Sequence, residues 1–331
     1  MPAREFDLIK RYFADWPTHD KNVLLGVGDD CALINPPAGE VLAVSVDTMV
    51  SGVHFFPNTP AAIVGFRALA VSISDLAAMG AAPLSFTLSL TLPDADESWL
   101  SEFSRGLRTA ADQYRISLVG GDTTRGPLTI GVQVIGSVPQ ALALIRRGAK
   151  VGDLVCVTGT LGDSGAGLSL LQEHGNVSAY TLDDVLASPD TLISRFFCPT
   201  PRLAFGYLLR SYASACIDVS DGLIADLSHV VDASSVGAVI QSHQLPLSEA
   251  LRNSLCEDPV TLALSSGDDY ELCFTVSEDR LNALLDDGRY SELVRTVPLT
   301  VIGRIVSGQG VVVQSMQGDT RSVTSSGYHH F

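Results

Sequence analysis

Acidic residues recur in this chain in one setting. Asp47, Asp122 and Asp218 each follow a short apolar run, and Asp29, Asp30, Asp221, Asp268 and Asp269 sit in turns rich in Gly or Ser. A carboxylate at the end of an apolar strand is costly unless something compensates it. Taken alone, Asp47 reads as a helix cap or a turn residue; the recurrence is what points beyond that. Asp75 is the lone charge between Arg67 and Asp94, flanked by Ala, Leu, Ile and Ser. It is either a solvent-facing helix residue or a buried ligand. Strand ends on one side of a sheet converge in space, and carboxylates brought together cannot all stay ionised without cations. Oxygen donors with no His or Cys cluster select hard ions, Mg²⁺ first.

Several Mg²⁺ ions, a few Arg and the Gly-rich stretch 158–168 point to a triphosphate and to phosphoryl transfer, which needs little beyond positioning and charge neutralisation. The stretch 158–168 either presents backbone N–H groups to phosphate or is a structural turn. It is not a Walker A loop, because Gly-x-x-x-x-Gly-Lys-[Ser/Thr] is absent from the chain. Two other readings of the acids are a structural Ca²⁺ module and a metal-dependent phosphatase. The first is weakened by the dispersion of the Asp residues, the second by the lack of His ligands.

The elements that must position these acids are legible in the periodicity. Residues 5–16 read as an amphipathic helix with Phe6, Ile9 and Phe13 on one face. The run 41–46 reads as a strand buried on both faces. Thr59 and Pro60 open a helix with Ile63, Phe66, Ala70, Ile73 and Ala77 inward and Gly80 as its stop. Residues 84–92 alternate strictly and predict a strand, whose Ser and Thr face suits contact with another subunit or with water. A helix is expected over 97–114, strands over 116–122 and 128–138, and a domain boundary near 145, dividing the chain into 1–145 and 146–331. In the second part, strands at 154–157, 215–218 and 272–276 alternate with helices at 202–212 and 223–231.

Composition bounds the partners. The 331 residues are 46% hydrophobic and 18% charged, a globular balance that fills two domains. The net charge of −16 argues against nucleic acid and anionic membranes as partners. It leaves room for an anionic substrate when divalent metals stand between. The six Cys form no Cys-x-x-Cys pair and sit mostly in apolar runs, so a zinc site is not expected and a reducing cytoplasm is. The apolar region 61–92 carries Arg67, Asp75 and many Ser and Thr, and is not read as a membrane span.

Seven motifs occur in a fixed order: Gly-Asp-Asp-Cys-Ala at 28–32, Ser-Val-Asp-Thr at 45–48 with Gly-Val-His-Phe at 52–55, Ser-Ile-Ser-Asp-Leu-Ala-Ala-Met-Gly at 72–80, Gly-Gly-Asp-Thr-Thr-Arg at 120–125, Val-Thr-Gly-Thr-Leu-Gly-Asp at 157–163, Ile-Asp-Val-Ser-Asp-Gly-Leu at 217–223 and Gly-Asp-Asp-Tyr-Glu at 267–271. With them, nearly the whole chain resembles the bacterial thiamine-phosphate kinases, of the superfamily that includes aminoimidazole ribonucleotide synthetase. The His-Phe pair after Asp47, the Asp-Leu-Ala-Ala-Met-Gly run and the terminal His-Phe carry the resemblance beyond the superfamily.

That resemblance implies ATP-dependent, in-line phosphorylation of thiamine phosphate to thiamine diphosphate, the last step of its biosynthesis, with no phosphoenzyme. It implies an α/β (α+β) fold of two aminoimidazole ribonucleotide synthetase-like domains, with the N-terminal sheets pairing across a homodimer. Carried over by motif, Asp30, Ser45, Val46, Asp47, Asp75, Asp122, Asp218 and Asp221 would hold several Mg²⁺ ions. Gly121, Asp122, Arg146 and Ser220 would contact ATP. His54, Asp268 and Tyr328 would face thiamine phosphate. Val46 stands where the family often has Thr, which leaves a backbone oxygen to serve. Asp268 stands where Glu is usual, and His329 falls at a position that is not fixed. Two rivals remain: another ATP-using synthetase of the superfamily, such as a selenophosphate synthetase, and a non-catalytic nucleotide or metal sensor.

Overall fold

The computed structural model describes residues 5–14, 16–254, 258–322 and 327–328. Cys256, His329, His330 and Phe331 lie outside these residues. The chain falls into two units. The first takes the described residues up to Leu76, then Ala81–Ala141 and Gly175–Pro189; the second takes Ala77–Gly80, Leu142–His174 and the described residues from Asp190 onward.

In the first unit, β1 (Val23–Leu25) and β2 (Leu33–Ile34) make a small antiparallel pair. β3 (Glu40–Val50), β4 (Ala82–Leu92), β5 (Ser117–Arg125) and β6 (Thr129–Pro139) form a four-stranded sheet in the order β3-β6-β4-β5. β3 and β4 run antiparallel to β6, and β5 runs parallel to β4. The alternation in β4 buries Leu84, Phe86, Leu88, Leu90 and Leu92. Directly paired residues share a face. Phe86, Val134 and Ser45 therefore form one inward row, and Leu88, Val132 and Asp47 the next. The other face carries Thr87, Gln133 and Val46 in one row.

Two expectations change here. Asp47 and Asp122 lie inside β3 and β5 and not at their ends, because β3 stays paired with β6 from Glu40 to Val50 and β5 with β4 as far as Arg125. β3 is also not buried on both faces. It is an edge strand, and Val41, Leu42, Val44 and Val46 are exposed.

The helix Ala61–Ala78 packs on the inward face, reaching β3 through Asp75 and Ser72. By length and composition alone it is apolar enough to cross a membrane, but nearly all of it is buried inside the fold. It ends in a Schellman motif, with the Gly80 and Ala81 amides donating to Ala77 and Leu76 and Gly80 left-handed. The helix Glu97–Tyr114 starts at Asp96, whose carboxylate accepts from the amides of Ser98 and Trp99. The first helix, Glu5–Tyr12, is shorter than its periodicity, and Pro17 follows soon after it.

In the second unit, β7 (Leu154–Thr158), β8 (Ala215–Asp218), β9 (Gly237–Gln241), β10 (Leu272–Val276), β11 (Leu299–Val306), β12 (Gly310–Gln314) and β13 (Thr320–Ser322) form one sheet. Its order is β13-β12-β9-β11-β7-β10-β8, antiparallel except for β12 and β9. The central strands are covered on both faces. Val155, Val157, Ile217 and Cys273 pack in one core, Cys156, Cys216 and Phe274 in the other. These cysteines are core hydrophobes, as read from sequence, and burial pushes the Cys156 thiol up to about 12.

Candidate active site

In the first unit three of the expected residues come together. Ser45 Oγ donates to Asp75 Oδ2 across the strand–helix contact. Burial, and then the neighbouring Asp75, push the Asp47 carboxyl up to about 6, against a hydrogen bond from Ser72. Asp75 is the half-buried exception on a helix otherwise almost wholly buried. Val46 points to the opposite face of the sheet and is 62% exposed, so only its backbone belongs to this group.

His54 sits in the turn after β3. The Val50 amide donates to its Nδ1 at 3.0 Å, and the His54 amide donates back to Val50 O at 3.0 Å. In the neutral ring the proton is therefore on Nε2. Gly121 and Asp122 are exposed on β5. Asp122 pairs with Ser89, in the row of Thr48 and not in that of Asp47. Gly121 lies so close to β4 that a Cβ there would stand 1.9 Å from Leu88 O. Asp30 is exposed, and its amide donates to the Asp29 carboxylate. Among the described residues, no three His, Cys, Asp or Glu side chains form a group that could hold a metal ion.

In the second unit β8 ends on the buried Asp218, and the turn 220–222 leads into the helix Leu223–Ser234. The amides of Ser220, Asp221 and Gly222 all donate to Oδ2 of Asp226, at 3.0, 3.1 and 3.1 Å. Burial, then Asp218 and Asp221, push Asp226 up to about 8 against these donors. The loop 267–271 is stitched to the same turn. The Asp268 amide donates to Ser220 O at 2.7 Å and the Tyr270 amide to Val219 O at 2.8 Å. Asp268 and Tyr270 are held left-handed, at φ 64 and 53, a conformation that costs a non-glycine residue free energy. Ser164 Oγ donates to Asp268 Oδ2 at 3.4 Å. Tyr328 is half exposed, and its amide donates to Asp221 O at 3.1 Å. Arg146 is exposed, and its carbonyl accepts from Ser234 Oγ at 3.4 Å.

Behind this turn lies a buried ionic group. Glu271, fully buried, accepts from Arg195 Nη2 at 2.7 Å, from Arg202 Nε at 2.6 Å and from Thr158 Oγ1 at 2.7 Å. Burial pushes its carboxyl up, but Arg202 and Arg195 more than offset that and hold it below its ordinary value. Gly159 packs against it with φ 59, where a Cβ would stand 2.0 Å from Oε1. In the Gly-rich stretch 158–168 several amides are engaged within the fold. The Gly162 amide donates to Asp269 Oδ2 at 2.8 Å and the Ser164 amide to Asp269 Oδ1 at 3.5 Å. The amides of Gly159 and Leu161 donate to Pro298 and Pro246 carbonyls.

Sequence reasoning counted Asp269 among the recurring acids but gave it no role, and singled out neither Asp226 nor Glu271, Arg195 and Arg202. One signal was present for Arg195, a lone charge among the apolar residues of the helix Leu192–Phe197, the same signal that singled out Asp75.

Two family models cover most of the chain: AIR synthase related protein, N-terminal domain, over residues 28–138, and AIR synthase related protein, C-terminal domain, over residues 150–315. The fold is thus that of an AIR synthase related protein, as the motifs led us to expect. The chain is 46% identical to the thiamine-monophosphate kinase of Escherichia coli O157:H7, over 100% of its own length and 99% of that relative. It is also similar to the crystal structure of thiamine-monophosphate kinase from Stenotrophomonas maltophilia K279a, with 48% identity and a TM-score of 0.80 over 88% of this chain and 91% of that one. A third likeness is to AaThiL complexed with AMPPCP and TMP, with 34% identity and a TM-score of 0.76 over 98% and 96% of the two chains. The chain belongs to the thiamine-monophosphate kinase family.

Proposed function

We infer that this chain is an enzyme that transfers the γ-phosphoryl group of ATP to thiamine phosphate, giving thiamine diphosphate and ADP by direct in-line displacement. The observation that carries this reading is the end-to-end likeness to AaThiL complexed with AMPPCP, an ATP analogue, and TMP, read here as thiamine monophosphate.

In this reading Asp30, Ser45, the backbone of Val46, Asp47, Asp75, Asp122, Asp218 and Asp221 hold Mg²⁺. The fit rests on their chemistry: oxygen donors throughout, with Asp47 pushed up by burial first and by the neighbouring Asp75 second. Mg²⁺ held there would supply charge neutralisation for the triphosphate and for these carboxylates. Gly121, Asp122, Arg146 and Ser220 bind ATP. His54 offers Nε2–H to the phosphate of the acceptor. Asp268 faces the acceptor's cationic portion, and Tyr328 stacks on an aromatic ring. Residues 1–145 form an ATP- and Mg²⁺-binding and dimerisation domain, and 146–331 a second α/β domain.

The same reading makes the chain a homodimer joined through the first sheet. It is supported by the edge position of β3 and by exposed Val44 and Val46, at 56% and 62%, beside Val41 and Leu42. A cytoplasmic setting is supported by the five described cysteines, all free thiols.

The test is ADP release from ATP–Mg²⁺ with thiamine phosphate, with thiamine, and with no acceptor. Thiamine diphosphate formed only with thiamine phosphate is the expected result. ADP release that ignores the acceptor, or none at all, would overturn the reading.

A further inference from the structure

The turn 220–222 is where both sets of proposed ligand contacts meet in the second unit. Its amides face inward to one oxygen, Oδ2 of Asp226. Two of its carbonyls hold the acceptor-facing residues, Ser220 O the Asp268 amide and Asp221 O the Tyr328 amide. Three successive N–H groups converging on one acceptor form a nest, and here an oxygen of the chain's own Asp226 fills it. Asp226 is 3% exposed, so no water replaces it at low cost.

The peptide plane links the two sides of the turn. The Asp221 N–H and the Ser220 C=O belong to one rigid planar unit, as do the Gly222 N–H and the Asp221 C=O. An N–H that turns away from Asp226 therefore swings the carbonyl that holds Asp268 or Tyr328. The residue that fixes the amides also fixes the anchors of the acceptor site.

We propose that Asp226 is a positioning residue: it sets the 220–222 turn and, through the two shared peptide planes, couples binding of nucleotide at Ser220 and of its Mg²⁺ at Asp221 to thiamine phosphate binding at Asp268 and Tyr328. The proposal rests on the site assignments made above. It also limits them, because the three amides are engaged and Ser220 must meet the nucleotide through other atoms.

The experiment compares the full-length wild type with Asp226→Leu, Asp226→Asn and Asp226→Glu. The first measurement is amide hydrogen exchange at residues 220–222. The second is the affinity for thiamine phosphate, by calorimetry, with and without AMPPCP and Mg²⁺. Asp226→Leu is expected to lower protection of the three amides by about 10-fold or more. It is also expected to bring the factor by which AMPPCP changes thiamine phosphate affinity, typically about 5- to 150-fold in coupled sites, close to 1. Asp226→Asn keeps one acceptor oxygen and is expected to recover part of both. If Asp226→Leu does not fold, Asp226→Glu serves in its place, since it keeps the charge but displaces the oxygen. Wild-type exchange and wild-type coupling in the Leu or Glu variant, whatever the melting temperature, would overturn the proposal. So would a wild type in which the two ligands bind without influencing each other. A wild type that binds neither ligand overturns the kinase reading and the coupling with it, while exchange at 220–222 still decides whether Asp226 fixes the turn.

Discussion

Arg202 grips Glu271 at both carboxylate oxygens, Nε on Oε2 at 2.6 Å and Nη2 on Oε1, in a place where Glu271 has no exposure to solvent. Arg195 and Thr158 complete the set. Through Thr158 and Arg202, Glu271 ties the end of β7 and the start of the helix Leu203–Leu209 to the start of β10, directly behind the loop that carries Asp268.

Removing one partner of such a group leaves the others charged and buried, at a cost of about 3–5 kcal/mol. Glu271→Leu strands two guanidinium groups at once and is expected to reach that range in urea unfolding. A loss below about 1 kcal/mol would mean that the two arginines find solvent or other partners without it.

The pH dependence of stability follows from the same carboxylate. Its folded pKa lies below its ordinary value of 4.5, so the native state binds the proton more weakly than the unfolded chain. The stabilisation is complete above the ordinary value and is lost as pH falls through the lowered one. Thermal melts between pH 3 and pH 6 should fall steeply at the acid end for the wild type and less steeply for Glu271→Gln. Equal slopes would contradict this assignment.

Gly159→Ala sets a methyl group 2.0 Å from Glu271 Oε1 at a left-handed backbone position. The expected loss is about 2 kcal/mol or more, from overpacking and strain together. Gly288→Ala is the control, since no atom lies within 4 Å of its Cβ, and its effect should stay within about 0.5 kcal/mol.

Asp47→Asn and Asp122→Asn are expected to lower the rate of thiamine diphosphate formation by about 100-fold or more, the scale of losing a charged group that neutralises phosphate. The fold should persist in both. Asp47→Asn also removes the repulsion from Asp75, so its melting temperature should hold or rise. Retained turnover in either variant would remove that residue from the metal set.

Val46→Asp places a charge in the middle of the exposed apolar row of β3. Light scattering should give the dimer mass for the wild type and the monomer mass for the variant. A dimer that survives the change would move the interface elsewhere.

Local signals carried much of the fold. The helix Glu97–Tyr114 and the strand Leu272–Val276 appear at their expected bounds because the signal for each lies within its own segment, an apolar periodicity after the capping Asp96 in the first and an apolar run after an acidic turn in the second. The motifs, read together, led to the family. What local patterns do not contain is pairing. An apolar run such as 41–46 looks the same whether it lies inside a sheet or at its edge, and Asp47 looks like a strand end until β6 is seen running past it. Asp226 and Glu271 were illegible for the same reason: their partners lie four to six residues away along a turn, or on strands and helices brought in by the fold.

The apex of the stretch 158–168 closes on Asp269. The Gly162 and Ser164 amides are thereby committed to Asp269 within the fold and are not offered to an incoming anion. A chelator should sharply weaken nucleotide binding, because in the proposed site the triphosphate meets the carboxylates through the ions between them.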